Sequence, residues 1–221
     1  GLFAGLMQRI AVVDLGTGNL HSVAKALEKV APGARVSVTA EHARISDATH
    51  VVLPGQGAIG SWLDALSGAG LRDVIAGAIE SRPVLGICLG LQALFDHSDE
   101  DGGTTCLGVL SGAVRRFTPV SDSVGPALKV PHMGWNNVAQ RCLHPLWQGI
   151  NQDVRFYFVH SYYVDAAEPV DIAGTTEYGV RFTSAVAREN VFAVQFHPEK
   201  SHHQGLQLLE NFVLWNGEVE R

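Results

Sequence analysis

Cysteine is scarce in this 221-residue sequence, and its few cysteines are widely separated. They are Cys88, Cys106 and Cys142, so neither a CxxC metal clip nor a CxxC redox pair is present. An odd number of distant cysteines favours free thiols in a reducing compartment over a disulfide framework. We therefore expect a cytoplasmic protein, and we expect no metal and no other cofactor.

Long apolar runs and clusters of basic residues are also missing. No stretch approaches the ~20 consecutive apolar residues that a membrane-spanning helix needs. The formal net charge is -6, and the only close basic pair in a predicted strand is Arg115-Arg116, which argues against nucleic-acid binding. We expect a soluble protein whose partners include neither nucleic acid nor a membrane.

Linkers, internal repeats and low-complexity segments are absent as well. Hydrophobic residues make up 46% of the chain and charged residues 17%, a balance typical of a folded domain with a sizeable core. One domain over residues 1–221 is a better prediction than two small ones. The start of the chain is mildly apolar and lacks a basic region, and we interpret residues 1–6 as an extension before Met7.

The first half of the chain alternates between strand patterns and helix patterns. Apolar residues typical of strands occur at 10–13, 36–38, 51–53 and 83–87. Apolar residues at helical spacing occur at 20–27, 71–79 and 89–95. This rhythm predicts an α/β fold with an open, mostly parallel central sheet and helices on both faces. The second half is richer in strands, with patterns at 154–159, 180–186 and 191–196 and a closing helix at 206–213.

Cys88 lies in the segment Gly86-Ile87-Cys88-Leu89-Gly90, between a predicted strand and a predicted helix. This is the pattern of a nucleophile elbow with cysteine in place of serine. The glycines let the backbone crowd together, and the helix N-terminus beside the sulfur favours the thiolate. A lone cysteine is more often a buried core residue, but this context favours a nucleophile. The Leu89 N–H would then point at an oxyanion.

A second motif, Gln195-Phe196-His197-Pro198-Glu199, follows the predicted strand 191–196. His197 is therefore expected at the carboxyl end of a strand, where the active sites of open α/β sheets collect. An imidazole there can exchange protons with a thiol, and a carboxylate can orient that imidazole. Residues two apart in an extended chain share one side, so Glu199 is the expected orienting group. Taken alone, this motif fits an ordinary loop histidine equally well.

A third motif, Pro54-Gly55-Gln56-Gly57, follows another apolar strand. It is not a Walker A phosphate loop, because no Gly-Lys-Ser/Thr follows. An oxyanion hole needs a second backbone N–H near the elbow, and this turn can supply it. Gly16-Thr17-Gly18-Asn19 is another candidate, although a plain turn is an equally good interpretation of that segment.

Together these motifs resemble those of the class I, or triad, glutamine amidotransferases. Cys88, His197 and Glu199 match the Cys–His–Glu triad with which that family hydrolyses glutamine and passes ammonia to a synthase partner. Within the family, the chain looks like the glutaminase subunits of imidazole glycerol phosphate synthase. The segments that carry this narrower resemblance are 14–20, 131–136, 158–162 and 195–201, and Pro131-His132-Met133-Gly134-Trp135-Asn136 is the most discriminating.

The resemblance implies further roles for named residues. The substrate would be L-glutamine, and the residues around it would be Gly55, Gly57, Gln92, Glu100, Ser161 and Tyr162. The oxyanion N–H groups would be those of Gln56 and Leu89. The partner would be a cyclase subunit with a (β/α)8 barrel, which uses the ammonia in histidine biosynthesis and forms a heterodimer with this chain. The residues expected to face the cyclase are Asn19, Trp135, Tyr157 and Lys200.

Two positions depart from the commoner family pattern. Gln56 stands where valine is frequent, and Leu15 stands where an aromatic residue is frequent. The triad is intact, but the side chain at position 56 can alter how readily that peptide turns into place. Two alternatives stay open: a glutaminase subunit for a vitamin B6 or chorismate pathway synthase, and a non-catalytic interaction module of the same fold. An esterase-like hydrolase has less support, because its carboxylate would precede the histidine in the chain.

Overall fold

The computed structural model describes residues 7–119 and 128–219 of the chain, so the predicted extension at 1–6 lies outside the described residues. The strands are β1 (Arg9–Val13), β2 (Arg35–Thr39), β3 (His50–Leu53), β4 (Val84–Ile87), β5 (His97–Ser98), β6 (Thr104–Thr105), β7 (Gly112–Arg116), β8 (His132–Asn137), β9 (Ala139–Gln140), β10 (Arg155–His160), β11 (Tyr162–Ala166), β12 (Ile172–Glu177), β13 (Arg181–Arg188) and β14 (Val191–Val194). The helices are α1 (Leu20–Val30), α2 (His42–Asp47), α3 (Ile59–Gly68), α4 (Arg72–Ser81), α5 (Leu89–Gln92) and α6 (His202–Leu214).

A 12-stranded sheet forms the centre of the fold, with the main order β2-β1-β3-β4-β14-β13-β11-β7-β5-β6. The strands from β2 to β14 pair in parallel. Beyond β14 the pairings from β13 to β7 are antiparallel, and β8 and β10 form a separate antiparallel pair. The predicted α/β class with a large central sheet is confirmed, and the strand-rich second half extends that sheet with antiparallel strands.

Side chains of the parallel strands alternate between two hydrophobic cores. On β1, Ile10 and Val12 belong to the core that includes buried residues of α1 and α6. Their neighbours Ala11 and Val13 belong to the other core, which includes buried residues of α2, α3 and α4. Because successive residues of a strand point to opposite faces, a strand covered by helices on both sides needs an uninterrupted apolar run. The short apolar runs of the first half follow from this requirement.

Two helix boundaries show how local signals and tertiary contacts compete. Helix α1 begins as predicted, because the Asn19 side chain accepts a hydrogen bond from the Ser22 N–H at 3.3 Å. Helix α5 ends at Gln92, earlier than the predicted 89–95. The chain turns after α5 because the N–H of Asp96 donates to the carbonyl oxygen of Gly112, at 3.2 Å. That contact joins the segment to β7, so the sheet rather than helix propensity decides where α5 ends.

Helix α3 has no counterpart among the sequence predictions. Gly60 and Ser61 in its first turn lower its intrinsic helix propensity. The side chains that it buries are Ile59, Trp62, Leu63 and Leu66. These residues do repeat at helical spacing, so periodicity over the segment would have found the helix. Most of its stability comes from burial of this face and not from propensity.

The chain turns sharply between β4 and α5, at residues 86–90. A Cβ atom on Gly90 would lie 1.8 Å from the carbonyl oxygen of Leu53, and a Cβ atom on Gly86 would lie 2.6 Å from that of Gly90. Cys88 has a φ of 56° and a ψ of -106°, which L-residues rarely adopt. Such strain persists only where the surrounding structure imposes it. Close packing of the two glycines therefore holds Cys88 at the tip of a nucleophile-elbow turn.

We expect Gly90→Ala to lower the free energy of unfolding by about 3 kcal/mol, because the new methyl group would overlap the Leu53 carbonyl oxygen. The matched control is Gly77→Ala on α4, where no atom lies within 4 Å of the added Cβ. That control should leave stability unchanged or raise it by up to ~1 kcal/mol. Urea unfolding midpoints compare the two variants, and equal midpoints would contradict this close packing at Gly90.

The backbone at Cys88 predicts an unusual order of stability among its variants. Cys88→Gly should be more stable than Cys88→Ala by roughly 1 kcal/mol, because glycine adopts this φ and ψ without strain. Cys142 has no such backbone strain, so Cys142→Gly should be the less stable variant of its own pair. Thermal unfolding of all four variants measures both differences. Alanine and glycine ranking the same way at both positions would argue against strain at Cys88.

Candidate active site

The carboxyl ends of β4 and β14 lie side by side at one edge of the sheet. The two strands pair in parallel, with Val194 opposite Ile87. Cys88 directly follows β4, and its N–H donates to the carbonyl oxygen of Val194 at 2.9 Å. His197 follows β14, and its N–H donates to the carbonyl oxygen of Tyr157 at 2.9 Å. Two motifs that are far apart in the sequence therefore meet at the same edge of the sheet.

His197 and Glu199 form a buried hydrogen-bonded pair. The imidazole Nδ1 lies 2.7 Å from the Glu199 Oε1, and each side chain is only 2% exposed. A single 3-10 turn, Pro198–Lys200, follows His197 and carries Glu199 back towards the ring. Because the carboxylate accepts the Nδ1–H, Nε2 is the nitrogen left for exchange of a proton with another group.

Burial and two neighbouring groups shift the pKa of His197 in opposite directions. Burial lowers the pKa of the imidazole, whereas polar contact with Cys88 and Glu199 and the negative charge of both groups raise it, to about 10 in sum. Within the described chain, Nε2 has no hydrogen-bond partner of acceptable distance and angle. The Cys88 sulfur is therefore a close electrostatic neighbour of Nε2 and does not form a hydrogen bond with it. His197 is accordingly the charged imidazolium at neutral pH.

Gln195 contacts the sulfur from within the sheet, and the sequence patterns assign it no role. Its side chain is fully buried, and its Nε2 donates to the Cys88 Sγ at 3.6 Å. The signal that points to it is a polar residue directly after the all-apolar strand β14. A buried amide needs partners for its polar atoms, so a glutamine at that position indicates a polar neighbour inside the fold.

A cavity of about 440 Å³ opens beside Cys88, within the size range of small-molecule sites. The residues predicted for the site that line it are Gln56, Gly57, Cys88, Leu89, Gln92, Glu100, Ser161 and Tyr162. Pro131 and His160 also line it, although the sequence patterns assign neither a role there. Gly55 lies outside this lining. The cavity therefore gathers residues from six separate parts of the chain.

Gly55 belongs to the loop beneath the cavity and is packed against Trp62. A Cβ atom at this position would lie 2.3 Å from the Trp62 Nε1, which donates to the Pro54 carbonyl oxygen at 3.0 Å. The Gly55 carbonyl oxygen accepts the N–H of Leu89, at 3.3 Å. The Leu89 N–H, which was expected to face an oxyanion, is thus engaged with the loop in this conformation.

Gln92 and Glu100 present different polar atoms to the cavity. The Gln92 Nε2 donates both to the carbonyl oxygen of Tyr162, at 3.2 Å, and to the Oε1 of Gln195, at 2.9 Å. Only its Oε1 is left for a ligand, and that atom is an acceptor. Glu100 accepts the Ile59 N–H at 3.0 Å, and burial raises the pKa of its carboxyl above the usual range despite this bond. Both residues can accept hydrogen bonds from a ligand cation.

The residues predicted to face a partner fall into two groups. Trp135 packs edge to face with Tyr157, with ring centroids 6.0 Å apart, and the Lys200 Nζ lies 6.0 Å from the Tyr157 ring centroid. Tyr157 and Lys200 also line the cavity, so this group adjoins it. Asn19 instead lines a much smaller space of about 10 Å³ with Gln56, His197 and Glu199. Exposed aromatic surface therefore lies at the mouth of the site.

Across residues 7–119 and 128–219, no three His, Cys, Asp or Glu side chains are grouped so that they could hold a metal ion. Over the same ranges, no helix has the length and apolar character needed to cross a membrane.

Comparison with known proteins points to one family. The family described as "Glutamine amidotransferase class-I" matches residues 11–215. A protein of Nitrosomonas europaea named "Imidazole glycerol phosphate synthase subunit HisH" is 56% identical over 95% of this chain and 99% of its own length. A protein of Pseudomonas putida with the same name is 51% identical over 96% and 99%.

Solved structures agree on the fold at lower sequence identity. A putative GMP synthase component from Thermoplasma acidophilum has a TM-score of 0.66 at 21% identity and covers 94% of this chain and 93% of its own. A structure described as a glutamine amidotransferase has a TM-score of 0.65 at 19% identity, with 92% and 98% covered. On the strength of the family match and of relatives more than half identical over nearly the whole length, this chain belongs to the class-I glutamine amidotransferases, among the HisH subunits of imidazole glycerol phosphate synthase.

Proposed function

We propose that this chain hydrolyses L-glutamine to glutamate and ammonia, with Cys88 as the nucleophile, for the synthase named in its relatives. The observation that carries the proposal is that a strained elbow cysteine, which lines the cavity, lies at the same edge of the sheet as the buried His197–Glu199 pair. The Cys88 sulfur attacks the side-chain amide carbon of glutamine and displaces ammonia. Water then hydrolyses the resulting glutamyl thioester, which releases the glutamate product and restores the Cys88 thiolate.

His197 supplies the proton that the leaving ammonia requires. Its raised pKa keeps the imidazolium charged at neutral pH, and its Nε2 is the nitrogen not engaged by Glu199. In the second step the neutral imidazole takes a proton from the attacking water, which restores the imidazolium. Glu199 holds the ring in one orientation and stabilises its positive charge throughout, as a carboxylate does in other triads.

The cavity suits the polar ends of a free amino acid. The Gln92 Oε1 and the Glu100 carboxylate are acceptors, so we assign them to the α-ammonium group of glutamine. Gly57, Ser161 and Tyr162 line the same cavity, and we assign their backbone groups to the α-carboxylate of glutamine. Gly55 supports the loop from below, through its packing on Trp62.

Stabilisation of the oxyanion depends on a change in the loop at Gly55. We assign the oxyanion to the backbone N–H groups of Leu89 and Gln56. The Leu89 N–H donates to the Gly55 carbonyl oxygen in this conformation, so that oxygen must turn away before Leu89 can bind the substrate. A Cβ atom added at Gly18 would lie 3.6 Å from the Gln56 backbone nitrogen, so the loop before α1 runs close to the peptide that must turn.

The partner that we propose is the cyclase subunit of imidazole glycerol phosphate synthase, a (β/α)8 barrel that forms a heterodimer with this chain in the cytoplasm. Trp135 offers it an exposed aromatic ring, and the half-buried Tyr157 and Lys200 lie beside the cavity. Asn19 lines a small space together with Gln56 and the triad residues His197 and Glu199. The names of the relatives favour this partner over a vitamin B6 or chorismate pathway synthase.

The loop at Gly55 predicts that hydrolysis depends on the partner. Purified chain should hydrolyse glutamine slowly, and addition of the cyclase subunit with its nucleotide ligand should raise kcat by about 10²–10³-fold, the effect of one oxyanion donor. Glutamate release measures the rate. Cys88→Ala should abolish hydrolysis, whereas the half-buried Cys142→Ala serves as a matched control that keeps the full rate.

Two outcomes would count against this mechanism and partner. A full rate in Cys88→Ala would remove the nucleophile assignment. A rate that rises with a vitamin B6 or chorismate pathway synthase and not with the cyclase would replace the partner while keeping the chemistry.

Glu199→Gln should lower kcat by about 10²-fold or more and move the alkaline limb of the pH–rate profile to lower pH. The charge of Glu199 raises the pKa of His197, so its loss lets the imidazolium give up its proton at a lower pH.

The raised pKa of His197 also makes the stability of the fold decrease as the pH rises. The folded pKa of about 10 lies above the ordinary 6.5, so the charged His197 stabilises the fold fully below pH 6.5 and loses this effect as the pH rises towards 10.

The matched control is Glu80→Gln on α4, an exposed carboxylate at the opposite end of the sheet. It should leave both the rate and the alkaline limb unchanged. A Glu199→Gln enzyme whose alkaline limb stays in place would mean that another group charges and orients His197.

A further inference from the structure

The carbonyl oxygen of Tyr162 is a fixed reference for a chain of hydrogen bonds that reaches Cys88. A carbonyl oxygen can only accept hydrogen bonds. This one accepts from the Nε2 of Gln92, at 3.2 Å, and from the Nδ1 of His160, at 2.6 Å. Each of these side chains must therefore present an N–H to Tyr162, which sets the direction of every bond that follows.

The first branch leads from Tyr162 to the sulfur. Since the Nε2 of Gln92 faces Tyr162, its second N–H is the one that reaches the Oε1 of Gln195, at 2.9 Å. The oxygen of the Gln195 amide is thereby occupied, and its NH2 group is turned to the Cys88 Sγ at 3.6 Å. The orientation of the Gln195 amide follows from its neighbours and is not a free choice between two flips.

The second branch joins the Tyr162 carbonyl oxygen to two buried histidines, His160 and His132. Because the Nδ1–H of His160 donates to Tyr162, the His160 Nε2 is an acceptor, and the Nδ1–H of His132 donates to it at 2.9 Å. The His132 Nε2 then accepts from the Asn136 Nδ2, at 3.2 Å, and this amide also donates to the Glu177 carbonyl oxygen at 2.9 Å. Burial lowers the pKa of both histidines, to about 4 for His132 and about 3 for His160, so both stay neutral and the directions persist.

We propose that Gln195 is a positioning residue for the nucleophile, held by Gln92 and the Tyr162 carbonyl so that its N–H donors always face the Cys88 sulfur. Its hydrogen bond favours the thiolate over the thiol, because a hydrogen bond to an ionised group is stronger than one to a neutral group. The role deepens the proposed glutaminase function, on which its relevance to turnover rests.

Gln195 acts on the sulfur without touching the substrate. Its side chain is fully buried and is absent from the described lining of the cavity. The turn at residues 86–90 restricts the Cys88 backbone, and the Gln195 amide donates a hydrogen bond to its sulfur. Loss of the Gln195 donor should consequently change the ionisation of Cys88 and kcat, and should leave KM for glutamine as it is.

The test is the pH dependence of Cys88 alkylation by iodoacetamide, followed by peptide-resolved mass spectrometry so that Cys106 and Cys142 are counted separately. Gln195→Met keeps the length of the side chain and removes the donor. We expect the midpoint of the alkylation profile to rise by about one pH unit, so that the rate at pH values below both midpoints falls about tenfold. With glutamine and the cyclase subunit present, kcat should fall and KM should not change.

Asn211→Leu is the matched control. Asn211 is another buried amide, on α6, and its Nδ2 donates to the carbonyl oxygens of Leu146 and Gln148 at 2.9 and 2.7 Å. This variant should lower the thermal unfolding temperature and leave the alkylation midpoint where it is. A midpoint that is unchanged in Gln195→Met, or that moves equally in both variants, would overturn the proposal.

A second variant covers the case in which Gln195→Met does not fold. Gln92→Met removes the group that holds the Gln195 amide in its orientation, so the alkylation midpoint should again rise, and an unchanged midpoint would overturn the proposal. Alkylation needs neither glutamine nor a partner. If the complex with the cyclase does not hydrolyse glutamine, the proposed function fails, whereas the alkylation profile still decides the role of Gln195.

Discussion

The turn between β4 and α5 constrains the rest of the site, because two of its positions have room for no side chain. Gly90 lies against the carbonyl of Leu53 on one neighbouring strand, and the N–H of Cys88 is bonded to Val194 on the other. The central sheet therefore holds Cys88 at a φ of 56° from both sides. A group placed by packed strands is positioned more accurately than one placed by a free loop.

Around this rigid turn, the fold gathers polar groups that would be costly to bury singly. The His197 Nδ1 and the Glu199 Oε1 bond to each other, and Gln195 and Gln92 share hydrogen bonds that end at the Tyr162 carbonyl. The loop at Gly55 differs from these groups because its contact blocks a proposed catalytic donor: the Gly55 carbonyl oxygen accepts the Leu89 N–H. The proposed nucleophile, Cys88, is already placed, whereas the Leu89 N–H proposed for the oxyanion is not yet free.

Much of the first half of the fold follows from local patterns. The apolar runs at 10–13 and 51–53 need burial on both faces, and the Asn19 cap marks the start of α1. Helix α3 has low propensity in its first turn, where glycine and serine occur, but its apolar residues keep helical spacing and their burial stabilises it. Helix α5 was predicted too long because pairing with β7 interrupts a periodicity that continues in the sequence.

The sequence by itself determined the chemistry that is possible, since the Gly-x-Cys-x-Gly turn and the spacing of His197 and Glu199 are local features of the chain. Strand-end reasoning could also bring Cys88 and His197 to one edge of the sheet. Only the tertiary structure decided which polar atoms remain free. The orientation of Gln195, the occupied Leu89 N–H and the acceptor left on Gln92 depend on contacts between residues far apart in the chain. Hydrogen-bond direction is a property of the assembled network, and no single segment carries it.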